Sequence, residues 1–172
     1  IREAGRVRET VGVCDVSSLG KIAVQGPDSG EFLNRVYVNG FGKLPVGKAR
    51  YGVMLRDDGM VMDDGTTWRL GEDDYLMTTT TTNAGKVMVW LEELLQTRWP
   101  ELRVHLTSVS DQWAAVSVAG PKARQVIADC LIDAAVISAE HLPFMGVTKA
   151  ALKGGISAWI GRISFSGELA FE

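Results

Sequence analysis

The stretch Gly59-Met60-Val61-Met62-Asp63-Asp64-Gly65 decides how this chain is read. It sets two adjacent carboxylates at the end of an apolar run. Side chains alternate between the two faces of a strand. If the run stays extended, Asp63 and Asp64 point to opposite sides, and Met60, Met62 and Asp64 share one face. Asp64 then stands at the edge of a methionine-lined surface, partly desolvated, which is how proteins tune an acid or a base. Asp63 faces away and makes a structural hydrogen bond. The local alternative is a hairpin turn, because Asp and Gly sit in turns without needing a function there. On local sequence alone the turn is favoured.

Working outward, four strands are expected around this stretch, at residues 49–55, 59–62, 66–70 and 75–80. Asp57-Asp58-Gly59 and residues 71–74 punctuate them as hairpin turns. Connections this short require antiparallel pairing. Upstream, residues 2–10 suit a helix and residues 21–25 a strand. Gly26-Pro27-Asp28-Ser29 opens a helix that turns Phe32, Leu33 and Val36 inward. Downstream, Asn83 is placed to cap a helix over residues 84–97, with Val87, Trp90, Leu91, Leu94 and Leu95 as its buried stripe. Residues 103–108 and 113–119 read as strands, 121–131 as a helix, and 147–153 with 156–164 as a hairpin.

Val24-Gln25-Gly26-Pro27 returns as Val118-Ala119-Gly120-Pro121, each time after a strand and before a helix. The order strand, Gly-Pro, helix, hairpin thus occurs twice. It predicts an α+β fold of duplicated antiparallel sheet-plus-helix units, with approximate repeats at 20–97 and 113–172. Two such units packed together create a cleft, where ligand sites are common.

With 172 residues the chain suits one domain or two small fused units. Its 46% hydrophobic and 23% charged residues are ordinary globular composition. A net charge of −3 argues against a general nucleic-acid surface. No apolar run is long enough to span a membrane, and no cationic, apolar leader opens the chain, so a cytoplasmic setting is expected. Cys14 and Cys130 match no metal or redox spacing and read as reduced, mostly buried thiols. His105 and His141 are isolated, so no metal site is expected. GxGxxG and P-loop motifs are absent, which excludes Rossmann-type dinucleotide binding in this segment. Both ends look cut, as in a fragment of a longer polypeptide.

Five motifs in order carry a resemblance: Gly12-Val13-Cys14-Asp15-Val16-Ser17, Val24-Gln25-Gly26-Pro27, Tyr51-Gly52-Val53-Met54-Leu55, Gly59 to Asp64, and Arg162 to Glu172. Together they resemble the folate-binding domain shared by glycine cleavage T-proteins (aminomethyltransferases) and folate-linked amine oxidases. The Thr78-Thr79-Thr80-Thr81-Thr82-Asn83 run and Phe165-Ser166-Gly167-Glu168-Leu169-Ala170-Phe171-Glu172 look most like the alpha subunits of heterotetrameric sarcosine oxidases. T-proteins typically have Tyr-Thr-Gly-Glu and a double glycine where this chain has Phe165-Ser166-Gly167-Glu168 and Gly59-Met60.

The resemblance implies the aminomethyltransferase folate-binding fold, truncated before the family's C-terminal barrel domain. It makes Asp64 the catalytic aspartate near the pterin N5 and bridging N10, and Tyr51 a lining tyrosine of the same pocket. Thr78 and Thr80 fall where family members contact the pterin, and Glu172 where a carboxylate holds the ring. Tetrahydrofolate is the implied cofactor. FAD, FMN and NAD are expected only in other parts of the complex. The implied partners are a small-molecule amine substrate and the other sarcosine oxidase subunits, with no nucleic acid and no membrane.

Chemistry agrees with these roles. A carboxylate accepts the paired N–H donors of a pterin edge as it accepts a guanidinium. Methylene transfer from an iminium to tetrahydrofolate passes through cationic species and releases a proton from nitrogen, and Asp64 suits both demands. The expected reaction joins the imine from sarcosine oxidation to tetrahydrofolate, giving 5,10-methylenetetrahydrofolate and glycine. The alternatives are a T-protein acting on an aminomethyl-lipoyl carrier and a non-catalytic folate-binding module; the presence of Asp64 argues against the second.

Overall fold

The computed structural model describes residues 2–172. In chain order its elements are α1 Arg2–Glu9, β1 Gly12–Asp15, β2 Gly20–Gln25, α2 Ser29–Val36, β3 Lys48–Leu55, β4 Val61–Gly71, β5 Asp74–Thr79, α3 Ala84–Glu93, β6 His105–Ser108, β7 Val116–Ala119, α4 Ala123–Cys130, β8 Val147–Ala151, β9 Ser157–Gly161 and β10 Ala170–Phe171. Two compact units result. One is Ser17–Trp113; the other joins the residues up to Val16 with Ala114–Glu172. The expected repeat boundary at 113 does not separate the chain's early residues from this unit, because β1 pairs antiparallel with β7.

The unit Ser17–Trp113 is built on a five-stranded antiparallel sheet of order β3-β4-β5-β2-β6. Its buried cluster joins Ile22, Val24, Met54 and Met77 from the sheet to Phe32, Leu33 and Val36 of α2 and Val87 and Leu91 of α3. Burying one such side chain contributes about 1.5–3 kcal/mol. Helix α2 turns Phe32, Leu33 and Val36 inward as its spacing requires, and it stops where Tyr37 turns extended. Asp28 does not cap it by side chain; the carboxylate accepts instead from the Arg103 backbone N–H and guanidinium at 2.8–3.3 Å.

Helix α3 keeps the expected stripe, but its last turn, Leu94–Arg98, widens to π-helical pitch. Asn83 makes no side-chain cap there. Its amide serves the β4 strand instead, as described below.

The second unit has a three-stranded antiparallel sheet of order β1-β7-β10 and a hairpin of β8 and β9, which ends at Gly161, short of the expected residue 164. Val118, Ala123, Leu131, Ile137, Leu142, Ile160 and Phe171 form its buried cluster. Each unit repeats one local device. Gly26 and Gly120 both adopt φ +125°, where a side chain would strain, and each carbonyl accepts the N–H three residues on to start a helix. Each helix then leads into an isolated antiparallel bridge, Tyr37 with Met54 and Leu131 with Leu152.

Cys14 and Cys130 are free but exposed, not buried as the sequence suggested. Both lie on elements too thin to cover them: β1 is an edge strand, and Cys130 ends a short helix.

Candidate active site around Asp64

Asp63-Asp64-Gly65 is not a turn. Strand β4 runs through it without interruption, so the two strands expected at 59–62 and 66–70 are one. The turn lies earlier: Gly59 adopts φ +79°, its N–H bonds to the Arg56 carbonyl, and the Asp58 carboxylate accepts the Met60 N–H. Gly65 is needed for a different reason. A Cβ there would run into the Thr78 carbonyl oxygen of the neighbouring strand, so glycine permits the close approach of β4 and β5. Its partner in register, Gly52, leaves room for the Tyr37 ring; a Cβ at Gly52 would sit 2.6 Å from that ring.

Val53 pairs with Asp64 and Met54 with Asp63, but Leu55 pairs with Val61. Met62 is the extra residue of a bulge. It packs against the buried cluster, while Met60 and Val61 are exposed. The continuous methionine face expected from strict alternation is therefore broken at Met62, because bulges re-aim the residues around them.

The two aspartates then part as alternation requires. Asp63 is 3% exposed, and three donors satisfy it: the Thr80 N–H at 3.0 Å, the Thr80 hydroxyl at 2.7 Å and the Asn83 amide at 3.3 Å. Asp64 is only half-buried and sits diagonally across from Tyr51, whose hydroxyl donates to Asp64 Oδ2 at 2.7 Å. Asp64 Oδ1 has no hydrogen-bond partner among the described residues. The bond to Asp64 holds the Tyr51 phenol above its ordinary ionisation range. Below the pair, buried Tyr37 is pushed up chiefly by desolvation, with both aspartates adding to the shift.

The threonines are committed to protein partners. The Thr78 hydroxyl bonds to the Thr66 carbonyl and accepts the Thr66 N–H, each at 3.0 Å, and Thr66 lies opposite Tyr51 in register. The Thr80 hydroxyl is held by Asp63. Tyr51, Asp64, Thr66 and Thr78 are thus brought together in one sheet, with Thr80 behind them on Asp63. Thr66 and Tyr37 carried no sequence motif; only the strand register reveals them.

Glu172 belongs to the other unit. Its backbone exchanges both hydrogen bonds with Gly161, at 2.8 and 2.9 Å. Its side chain is half-buried, and burial alone raises its ionisation range. No hydrogen bond or ion pair satisfies that carboxylate among the described residues. Glu168 approaches Arg8 at 3.8 Å. Among the described residues no cluster of His, Cys, Asp or Glu could hold a metal, and no helix is long and apolar enough to cross a membrane.

The family model of the GCVT N-terminal domain matches residues 1–172. The chain belongs to the GCVT N-terminal domain family. It is 55% identical over 171 residues to sarcosine oxidase subunit alpha of Corynebacterium sp. (strain P-1), an alignment covering 99% of this chain and 18% of that protein. It is 34% identical over 172 residues to aminomethyltransferase of Herpetosiphon aurantiacus, covering 100% of this chain and 45% of that one. The crystal structure of glycine cleavage system aminomethyltransferase T from Bartonella henselae superposes with a TM-score of 0.82 at 25% identity, over 99% of this chain and 43% of that one. The chain thus spans under a fifth of the oxidase subunit and under half of the aminomethyltransferases it matches. The GCVT fold, with its antiparallel sheets and helices, is the one the motifs implied.

Proposed function

We propose that this GCVT domain is the tetrahydrofolate-dependent transfer site of a sarcosine oxidase-like enzyme. It joins the imine from sarcosine oxidation to tetrahydrofolate, giving 5,10-methylenetetrahydrofolate and glycine. The observation that carries the reading is the Tyr51–Asp64 pair: a half-buried carboxylate held from one side by a phenol, with its second oxygen left open. The identity of 55% to the oxidase alpha subunit, against 34% to an aminomethyltransferase, favours the oxidase over the carrier-dependent reaction.

Folate supplies the acceptor nitrogens. Asp64 Oδ1 is free to take the proton that leaves nitrogen and to stand against the cationic carbon donor. Tyr51 fixes the carboxylate so that this oxygen keeps its direction. Glu172 fits the pterin edge, since a desolvated carboxylate without a protein donor gains most from two N–H donors. Thr78 supports the pocket through its strand, its hydroxyl being taken by Thr66, and Thr80 supports it through Asp63, which takes both its N–H and its hydroxyl. Flavins and NAD belong to other parts of such an enzyme, and the remaining subunits are its partners.

The test uses the full-length enzyme complex supplied with sarcosine. With tetrahydrofolate present, carbon should leave as methylenetetrahydrofolate; without it, as formaldehyde. Equal formaldehyde yields under both conditions would refute the reading. Turnover only with an aminomethyl-lipoyl carrier would favour the T-protein reaction instead.

A further inference from the structure

The Asp63 carboxylate is used in full by the protein, yet it lies next to the proposed reacting group. Thr80 contributes two donors to it, one from each side of the Oδ1/Oδ2 pair. The Asn83 amide reaches Asp63 at 3.3 Å and the carbonyl of Met62 at 3.2 Å. Met62 is the bulged residue of β4. One short segment, Thr80 to Asn83, thus grips both the bulge and the residue after it. If the bulge migrated from Met62 to Asp64, Asp63 would pair with Val53 in the place Asp64 now holds, and the two acids would exchange faces. The exchange would bury the acid that should be open and expose the one that should be buried.

We propose that Asp63 is a positioning residue: clamped by Thr80 and Asn83, it locks the β4 bulge so that Asp64 faces Tyr51. The inference rests on the transfer reaction proposed above and adds to it a residue that never touches the ligand. It also gives the Thr78–Asn83 run a purpose beyond strand propensity. Backbone and side-chain donors at 80 and 83 must arrive together, and the extended Thr80 followed by the 3-10 turn Thr81–Asn83 brings them there.

The test compares Asp64→Asn, Asp63→Asn and Asn83→Ala in the full-length enzyme with sarcosine and varied tetrahydrofolate. Two quantities are read: the fraction of carbon recovered as methylenetetrahydrofolate per turnover at saturating folate, and the folate concentration giving half of it. Asp64→Asn should lower transfer by about a hundredfold or more. Asp63→Asn should lower it about tenfold, as a reacting group displaced by part of an ångström does. Asn83→Ala, which removes the amide bonded to Met62 and Asp63 and spares the buried charge, should cost about threefold and keeps the test decisive if Asp63→Asn does not fold. Half-saturating folate should stay within about twofold for both positioning variants, because they do not alter binding groups. Wild-type transfer per turnover in Asp63→Asn and Asn83→Ala, with only stability lost, would overturn the proposal. So would a loss confined to folate affinity. Wild-type transfer in Asp64→Asn would instead bring down the transfer reading itself.

Discussion

The Tyr51 hydroxyl donates a 2.7 Å hydrogen bond to Asp64 Oδ2 across the β3–β4 pair, two residues off direct register. Neighbours at that diagonal are within reach of a long aromatic side chain. The bond sets one oxygen and leaves the other open. Charge-assisted bonds of this type contribute about 1.5–3 kcal/mol. Tyr51→Phe should therefore lower methylene transfer about 10- to 100-fold, without changing sarcosine oxidation in the absence of folate. Product analysis with and without tetrahydrofolate measures both.

The same bond leaves a mark at alkaline pH. Because Tyr51 ionises above its ordinary value in the folded protein, its contribution is complete below about pH 10 and disappears as pH rises through the higher folded value. Wild-type protein should lose stability across that window more steeply than Tyr51→Phe. Urea midpoints at a series of pH values check it.

Glu172 gives a second pH dependence with the same sign and an acidic window. Burial raises its ionisation above the ordinary 4.5, so the folded state keeps the proton longer than the unfolded chain does. Its contribution to stability is fully present below 4.5 and is lost as pH climbs through the raised value. Glu172→Gln should flatten that decline and raise the thermal midpoint at neutral pH by a few degrees, about 2–4 °C per kcal/mol recovered. It should also weaken tetrahydrofolate binding about tenfold or more. A variant that is more stable yet binds folate worse separates the ligand role from a structural one.

Gly65→Ala drives a methyl into the Thr78 carbonyl. Neither strand can yield without breaking the β4–β5 ladder, so we expect a loss of about 2–4 kcal/mol. Gly59→Ala, in open space but at φ +79°, should cost only about 1 kcal/mol. Reversing that order would remove the close-approach explanation of Gly65.

Much of the fold was legible because its periodicities are strong. Phe32, Leu33 and Val36 turn inward, and Val87, Leu91 and Leu94 are buried, as their spacing requires. The repeated Gly-Pro also led to the two glycines at φ +125°. Asp63-Asp64-Gly65 misled because local composition cannot tell a turn glycine from one that lets two backbones approach; the difference lies at Thr78, on another strand. Asn83 had the chemistry of a cap, but a stronger use awaited it at Met62 and Asp63. The opposite facing of Asp63 and Asp64 did follow from alternation alone. The bulge that displaces Met62 did not, since bulges are set by pairing rather than by the strand's own residues.

In the proposed reaction Asp64 carries the transfer step. Sarcosine labelled with carbon-13 in its methyl group, given to the full-length enzyme with saturating tetrahydrofolate, tests it most directly. The wild type should place the label in methylenetetrahydrofolate, and Asp64→Asn should release it as formaldehyde while oxidising sarcosine at the same rate. Label reaching methylenetetrahydrofolate equally fast in both proteins, after correction for uncatalysed condensation of formaldehyde with tetrahydrofolate, would contradict the account.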